Sequence, residues 1–213
     1  MRVVFVGPPG SGKGTQALRL ASSGLVHIST GSILRKAVAD ETPVGLDARD
    51  YLASGALVPD EIVSKIVADR VRQPDAARGF ILDGFPRNRV QAEVLDRDLD
   101  ALHLPIERVV YFDVDPATVL GRLTGRRTCR QCGATCHVTF DPPAREGVCD
   151  ACGGELYLRE DDREETVLNR LDVYEDQTAS LVAFYDERAL LCRVDASRSP
   201  DEVTQDVRKC LAA

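Results

Sequence analysis

Apolar positions fall into two alternating patterns along the chain. Near-continuous apolar runs occupy residues 3–6, 80–82, 109–114 and 190–194, with a further candidate at 26–29. Runs without polar alternation suit strands of a parallel sheet that is covered on both faces. Between them, apolar residues recur at helical spacing. Residues 13–23 place Ala17, Leu20 and Ala21 on one face, with Gly24 as the stop. Residues 60–71 follow Pro59, carry acids in the first turn and repeat Ile62, Val63, Ile66, Val67 and Val71. From residue 164 to about 191 no glycine or proline interrupts the pattern, and Asp162 with Glu165 predicts a capping box for its start. Strands alternating with helices predict an α/β fold: a doubly wound, parallel, five-stranded sheet.

Residues 128–157 break this rhythm, with clustered cysteines, several glycines, Pro142-Pro143 and no helical period. Such a segment is too poor in apolar residues to fold on a core of its own and needs a staple. Cys129-x-x-Cys132 and Cys149-x-x-Cys152 supply one. Two such knuckles separated by sixteen residues make a closed tetrahedral zinc site, with no position left open for catalysis. The zinc is therefore expected to be structural. The other cysteines, Cys136, Cys192 and Cys210, read as thiols outside that site, with Cys192 and Cys210 structural. His27 and His103 read as structural too.

Composition narrows the options. The apolar fraction of 44% and charged fraction of 29% are those of an ordinary globular chain of 213 residues. A net charge of −7 opposes a protein whose main task is nonspecific grip on nucleic acid. No apolar run approaches the ~20 residues of a membrane span. The N-terminus lacks the pattern of a secretory signal, so a cytoplasmic, reducing location is expected, where thiols serve metals before disulfides.

The sharpest motif is Gly7-Pro8-Pro9-Gly10-Ser11-Gly12-Lys13-Gly14-Thr15, between the first strand and the first helix. Glycines let successive N–H groups turn inward toward phosphate oxygens, and the helix N-terminus adds positive potential. Lys13 can reach the terminal phosphates, while a hydroxyl serves magnesium. The generic pattern places that hydroxyl directly after the lysine; here Gly14 precedes Thr15.

This spelling resembles the nucleoside monophosphate kinases, and within them the adenylate kinases. The resemblance continues through His27-Ile28-Ser29-Thr30-Gly31-Ser32-Ile33-Leu34-Arg35 and Leu57-Val58-Pro59-Asp60-Glu61. It runs on through Gly79-Phe80-Ile81-Leu82-Asp83-Gly84-Phe85-Pro86-Arg87 with Gln91, then Gly121-Arg122-Leu123-Thr124-Gly125-Arg126-Arg127, and closes over residues 159–174. Six motifs in order span nearly the whole chain.

The resemblance implies reversible, magnesium-dependent phosphoryl transfer from ATP to AMP, giving two ADP, by direct in-line transfer. It implies a monomer made of a core (1–29, 60–121 and 160–213), an AMP-binding arm (30–59) and a zinc-binding lid (122–159). Gly10, Ser11, Gly12, Lys13, Gly14 and Thr15 would hold ATP phosphates, with Arg126, Thr135, Cys136 and Arg198 further along the ATP site. Thr30, Arg35, Ala56, Leu57, Val58, Gly84, Phe85, Pro86, Arg87, Gln91, Arg159 and Arg170 would hold AMP. Asp83 would fix magnesium through water, and Lys13, Arg87, Arg122, Arg126, Arg159 and Arg170 would serve the transfer. Arginine forks suit this chemistry, because they bind phosphate through paired hydrogen bonds and stay charged. Arg127 and Arg163 read instead as surface ion-pair residues.

Two departures stand out. Ser32 occupies a position where the family usually carries aspartate, which points to weaker helix capping beside the AMP pocket. Cys136 stands where tyrosine is common. A zinc-ribbon protein regulated by a P-loop accounts for the cysteines and Lys13, but not for the motif order or the charge. A kinase for another monophosphate differs from the AMP reading chiefly at Thr30.

Overall fold

The computed structural model describes residues 1–21 and 24–212. Five strands form a parallel sheet: β1 (Arg2–Val6), β2 (Val26–Ser29), β3 (Phe80–Asp83), β4 (Arg108–Asp113) and β8 (Leu191–Asp195). Their spatial order is β2-β3-β1-β4-β8. The five apolar runs of the sequence are these five strands. Two core clusters explain why the runs do not alternate with polar residues. Val4, Val6, Phe80 and Leu82 pack on one face of the sheet, against Val63, Val67, Leu95, Leu181 and Tyr185. Val3, Phe5, Ile81, Val110 and Phe112 pack on the other, against Ala17, Leu20, Val203 and Val207. Successive strand side chains point to opposite faces, so a strand covered on both sides must be apolar at every position. Phe5 and Phe112 meet edge to face at 4.9 Å between ring centres. Loss of either ring would cost about 3–5 kcal/mol.

The first helix, α1 (Lys13–Ala21), follows the loop after β1. Residues 22 and 23, which complete the expected 13–23 helix, lie outside the described residues. Gly24 takes φ +86° and donates its N–H to the Ala21 carbonyl, as a helix stop requires. Two helices follow β2: α2 (Thr30–Ala39), and α3 (Pro43–Ser54), which closes on Gly55 in the left-handed region. Next come α4 (Asp60–Val71), α5 (Arg89–Ala101) and α6 (Pro116–Thr124). Asn88 and Asp115 cap α5 and α6 with their side chains. Beyond α6 a small antiparallel sheet is inserted, built of β5 (Arg126–Cys129), β6 (Thr135–His137) and β7 (Leu156–Tyr157) in the order β6-β5-β7. Val138, Phe140 and Leu158 are exposed there, Phe140 at 73%, so the insert lacks an apolar centre comparable with the main sheet.

The expected long helix from residue 164 is divided. It comprises α7 (Glu164–Val173), a π-wound turn at Tyr174–Thr178, and α8 (Ser180–Asp186). The π turn redirects the backbone, and Thr178 Oγ1 within it donates to the Arg87 carbonyl at 2.7 Å. The capping box is also corrected. Arg163 is the residue preceding α7, no side chain caps it, and Asp162 is fully buried in an ion pair instead. The final helix, α9 (Pro200–Ala212), returns over the sheet beside α1. Gln16 Nε2 donates to Pro200 O, and Thr204 donates to Gln16 Oε1.

Candidate active site

Parallel strands bring their carboxyl ends to one edge of the sheet, and ligand sites of doubly wound folds form there. At that edge the loop after β1 carries Gly7 to Gly12, while β2 ends at Ser29 and β3 at Asp83. Gly10 needs its freedom twice over. Its φ is +74°, and a Cβ would lie 2.8 Å from Leu123 Cγ of α6. Lys13 Nζ donates to the carbonyls of Gly7 (2.8 Å) and Pro8 (2.7 Å) and to Ser11 Oγ (3.2 Å). Burial, together with the charges of Arg87, Arg170 and Arg126, lowers Lys13 to about 8, although Asp83 pulls it the other way. Asp83 stays below its ordinary range. Burial alone would raise it, but the hydrogen bond from His27 and the charges of Lys13 and Arg87 outweigh that.

His27 was expected to be structural, yet its Nε2 lies 3.2 Å from Asp83 Oδ2, in direct contact with the expected magnesium-fixing carboxylate. The register explains the contact: β2 runs parallel to β3, with His27 opposite Ile81 and Ser29 opposite Asp83. No local pattern in the sequence carries this pairing.

Thr30 opens α2 and donates to the Gly84 carbonyl at 2.9 Å. Ser29, not Ser32, supplies the cap of α2, accepting the Ser32 N–H at 3.4 Å. A carboxylate at position 32 is therefore dispensable for that cap. Arg87 Nε donates to the same Gly84 carbonyl at 2.8 Å. Burial and the charge of Arg170 bring Arg87 down to about 10. The Phe85–Pro86 peptide is cis. Thr30, Ala56, Leu57, Val58, Gly84, Arg87 and Gln91 share one cleft with Leu34, Leu52 and Val63.

Two carboxylates organise the arginines, and the motifs do not single either out for that task. Arg126 grips Asp162 through Nε (2.8 Å) and Nη2. Arg170 Nη1 donates to the Asp161 carbonyl at 2.8 Å and lies 3.3 Å from Asp161 Oδ2 and 3.4 Å from Asp162 Oδ1. Arg35 reaches Asp161 at 3.8 Å. Asp161 is held below its usual range because these arginines outweigh its burial. Arg159 Nε donates to Thr128 Oγ1 at 2.7 Å, and burial with the charges of Arg35 and Arg126 brings it to about 10. Arg87, Arg126 and Arg170 thus repel Lys13, Arg35 repels Arg87 and Arg159, and Asp161 with Asp162 offsets part of this positive charge. Like charges held this close want an anion between them.

Other expected residues sit apart from that group. Arg122 donates to the carbonyls of Ala196 (2.8 Å) and Ser197 (3.3 Å), in the turn after β8. Arg198 is exposed, pairing with Glu202 and Asp206. Thr135 is exposed on β6, and Cys136 is half-buried, its thiol pushed up by burial and by Asp141 and Asp150.

In the insert, the sulfurs of Cys129, Cys132, Cys149 and Cys152 all lie within 4.8 Å of one another. A tetrahedron of Zn–S bonds of about 2.3 Å separates its sulfurs by roughly 3.8 Å, so the donor set fits zinc. Backbone N–H groups led by that of Cys132 lower the Cys129 thiol. At Cys152 the Gly154 N–H acts the same way, but hydrogen bonds with Cys132 and Cys129 outweigh it and raise the thiol, so the sulfurs titrate together. Cys192 and Cys210 correct an expectation: they are bonded to each other, joining β8 to α9. Spacing could not reveal this, because the pairing depends on how α9 packs back on the sheet.

A loop built for phosphates, a lysine and an arginine group at the open edge of a doubly wound sheet, and a cleft beneath two helices define the class: a P-loop kinase acting on nucleoside monophosphates. The adenylate kinase family model matches residues 5–190. The chain is 51% identical over 212 residues to adenylate kinase of Carboxydothermus hydrogenoformans, covering 99% of each chain. It is 53% identical over 210 residues to that of Geobacter sulfurreducens, covering 98% of this chain and 97% of the relative. With adenylate kinase of Syntrophobacter fumaroxidans it shares 52% identity over 204 residues, 95% and 96% of the two chains. This chain belongs to the adenylate kinase family, whose members transfer a phosphoryl group between ATP and AMP.

Proposed function

We propose that this protein catalyses Mg-ATP + AMP ⇌ 2 ADP by direct in-line transfer. One observation carries the reading: Lys13, Asp83 and five arginines from α2, the β3–α5 loop, β5, the 159–163 turn and α7 converge on the carboxyl edge of one sheet. Phosphoryl transfer spreads negative charge over the equatorial oxygens, so the protein's task is to position and stabilise. Lys13 and the N–H groups of Gly10 to Thr15 take the ATP phosphates. Thr30, Arg35, Arg87 and Gln91, with the backbone of Ala56 to Val58 and Gly84 to Pro86, take AMP. Arg126, Arg159 and Arg170 close on the moving phosphoryl group; Arg122 backs the ATP side, and Thr135, Cys136 and Arg198 border its nucleoside.

Asp83, through water, and Thr15 would hold magnesium, which would supply charge neutralisation at the phosphates. The four thiolates would hold structural zinc, a staple for the insert (122–159) as a lid; residues 30–59 form the AMP arm. Closure of both excludes the water that would otherwise accept the phosphoryl group. The proposed site is complete within one chain, as a monomer requires, and the monomer itself rests on the family resemblance. Zinc-binding thiolates favour a reducing, cytoplasmic location, and the Cys192–Cys210 disulfide weighs against it.

The test mixes purified protein, Mg-ATP and each nucleoside monophosphate in turn and follows ADP by chromatography, with Lys13→Ala as control. ADP formed with AMP and lost in the control is the expected result. Preference for a pyrimidine monophosphate would overturn the reading of Thr30.

A further inference from the structure

The cleft beneath α2 and α3 has two buried polar residues in its lining, Thr30 and Gln91, each 1% exposed. Both ends of the Gln91 amide are held, one by the backbone of Arg87 and one by Asp60 behind the cleft. Oε1 accepts the Arg87 N–H at 2.7 Å, and Nε2 donates to Asp60 Oδ1 at 2.7 Å. Asp60, the first residue of α4, also accepts from Asn88 Nδ2 at 3.0 and 3.1 Å. The other end of Asn88 is fixed as well, because its Oδ1 caps α5 by accepting the Gln91 N–H at 2.8 Å. Asp60 is thus the acceptor toward which two side-chain amides point, and it lies 31 residues from Gln91 in sequence.

A carboxylate only accepts, and a backbone N–H only donates. Between them, Asp60 and Arg87 N–H allow one orientation of the Gln91 amide. Each held end keeps one unused capacity: a second proton on Nε2 and a second lone pair on Oε1. An amide fixed in this way presents a donor beside an acceptor. A 6-aminopurine answers with its amino group beside a ring-nitrogen acceptor. A 6-oxopurine sets its carbonyl against Oε1 and its ring N–H against the Nε2 proton. A site built around a hydrogen bond rejects the mismatched partner strongly, since buried polar groups are then left unpaired.

We propose that Asp60 is a specificity-determining positioning residue, locking the Gln91 amide in the orientation that accepts 6-amino and rejects 6-oxo purine monophosphates. This rests on the reading above that Gln91 holds AMP, and adds that it does so through the base.

The test compares kcat/KM for AMP and IMP, and KM for ATP, in wild type, Asp60→Asn, Asp60→Ala, Gln91→Ala and the double variant Asp60→Ala/Gln91→Ala. Removing the anchor should lower the AMP-to-IMP ratio about tenfold in Asp60→Ala, through KM for the monophosphate. Asp60→Asn keeps one acceptor oxygen and should fall between. KM for ATP should stay within about twofold, a split that general loosening of α4 would not produce. The double variant should discriminate no worse than Gln91→Ala alone, because the two residues act as one unit. If Asp60→Ala keeps the wild-type ratio while Gln91→Ala loses it, the role of Asp60 is wrong and that of Gln91 stands. If Gln91→Ala keeps the ratio, the reading of Gln91 itself fails. Should Asp60→Ala not fold, Asp60→Asn decides alone, and a wild-type ratio there overturns the proposal.

Discussion

Arg126 and Asp162 stand 36 residues apart in sequence and meet through two hydrogen bonds, with Asp162 wholly buried. Arg126 begins the inserted sheet, and Asp162 precedes the helix that carries Arg170. The pair ties the base of the proposed lid to the arginine group. Asp162→Ala leaves Arg126 without its fork and should destabilise the fold by about 3 kcal/mol. It should also lower kcat by about 100-fold, through misplaced arginines. Denaturant melts and steady-state kinetics check both, and kcat within twofold of wild type would show that the pair does not organise transfer.

Lys13 supplies a pH prediction. Its folded value, about 8, lies below its ordinary 10.5. Between those limits the unfolded chain binds the extra proton, so this lysine makes stability rise with pH from about 8 toward 10.5. Below about 8 it is charged in both states, and the whole cost of burying it is present. Bound phosphate favours the charged form and reverses the balance. ATP binding near pH 9 should therefore take up a proton, and affinity should fall as pH rises beyond about 8. Calorimetry in buffers of different ionisation enthalpy measures the uptake, which Lys13→Ala should abolish.

The zinc site predicts a stoichiometry and a local failure. Native mass spectrometry should find a single zinc per chain, lost on Cys129→Ser/Cys149→Ser substitution. Structural zinc of this type contributes on the order of 10 kcal/mol to folding its unit. The substituted protein should therefore show rapid amide exchange over residues 126–157, while the parallel sheet keeps its protection. Uniform loss of protection would mean that the insert and the core unfold together.

Cys192 and Cys210 close a loop across a sequence separation of 18, which chain entropy values at about 3 kcal/mol. Thiol titration under denaturing, non-reducing conditions should count five free cysteines, rising to seven after reduction. Cys210→Ser should lower the melting temperature by the same amount as mild reduction of wild type. Seven free thiols before reduction would remove the staple from the account.

His27 touches Asp83 at 3.2 Å. His27→Ala removes a donor that helps to hold Asp83 below its ordinary range, leaving burial less opposed. The acid limb of the pH–rate profile should move upward, with a higher magnesium requirement. An unchanged limb and an unchanged magnesium requirement would leave His27 with packing alone.

The chain's own order of residues determined the element sequence, the phosphate loop, the zinc knuckles and the identity of the arginines. Each of these is written within a few consecutive residues, where helical or strand periodicity and turn chemistry operate. The anchors were settled elsewhere. Asp162 read locally as a helix cap and became the seat of Arg126. His27 met Asp83 only because β2 and β3 pair in one register. Asp60 reached Gln91 by the packing of α4 on α5, and Cys192 met Cys210 when α9 folded back beside β8. The π turn at Tyr174–Thr178, too, left no mark in a helical pattern that simply continued. These relationships join positions 18 to 56 residues apart. Their contacts depend on the register of strands and the angles of helices, which no short window of sequence contains.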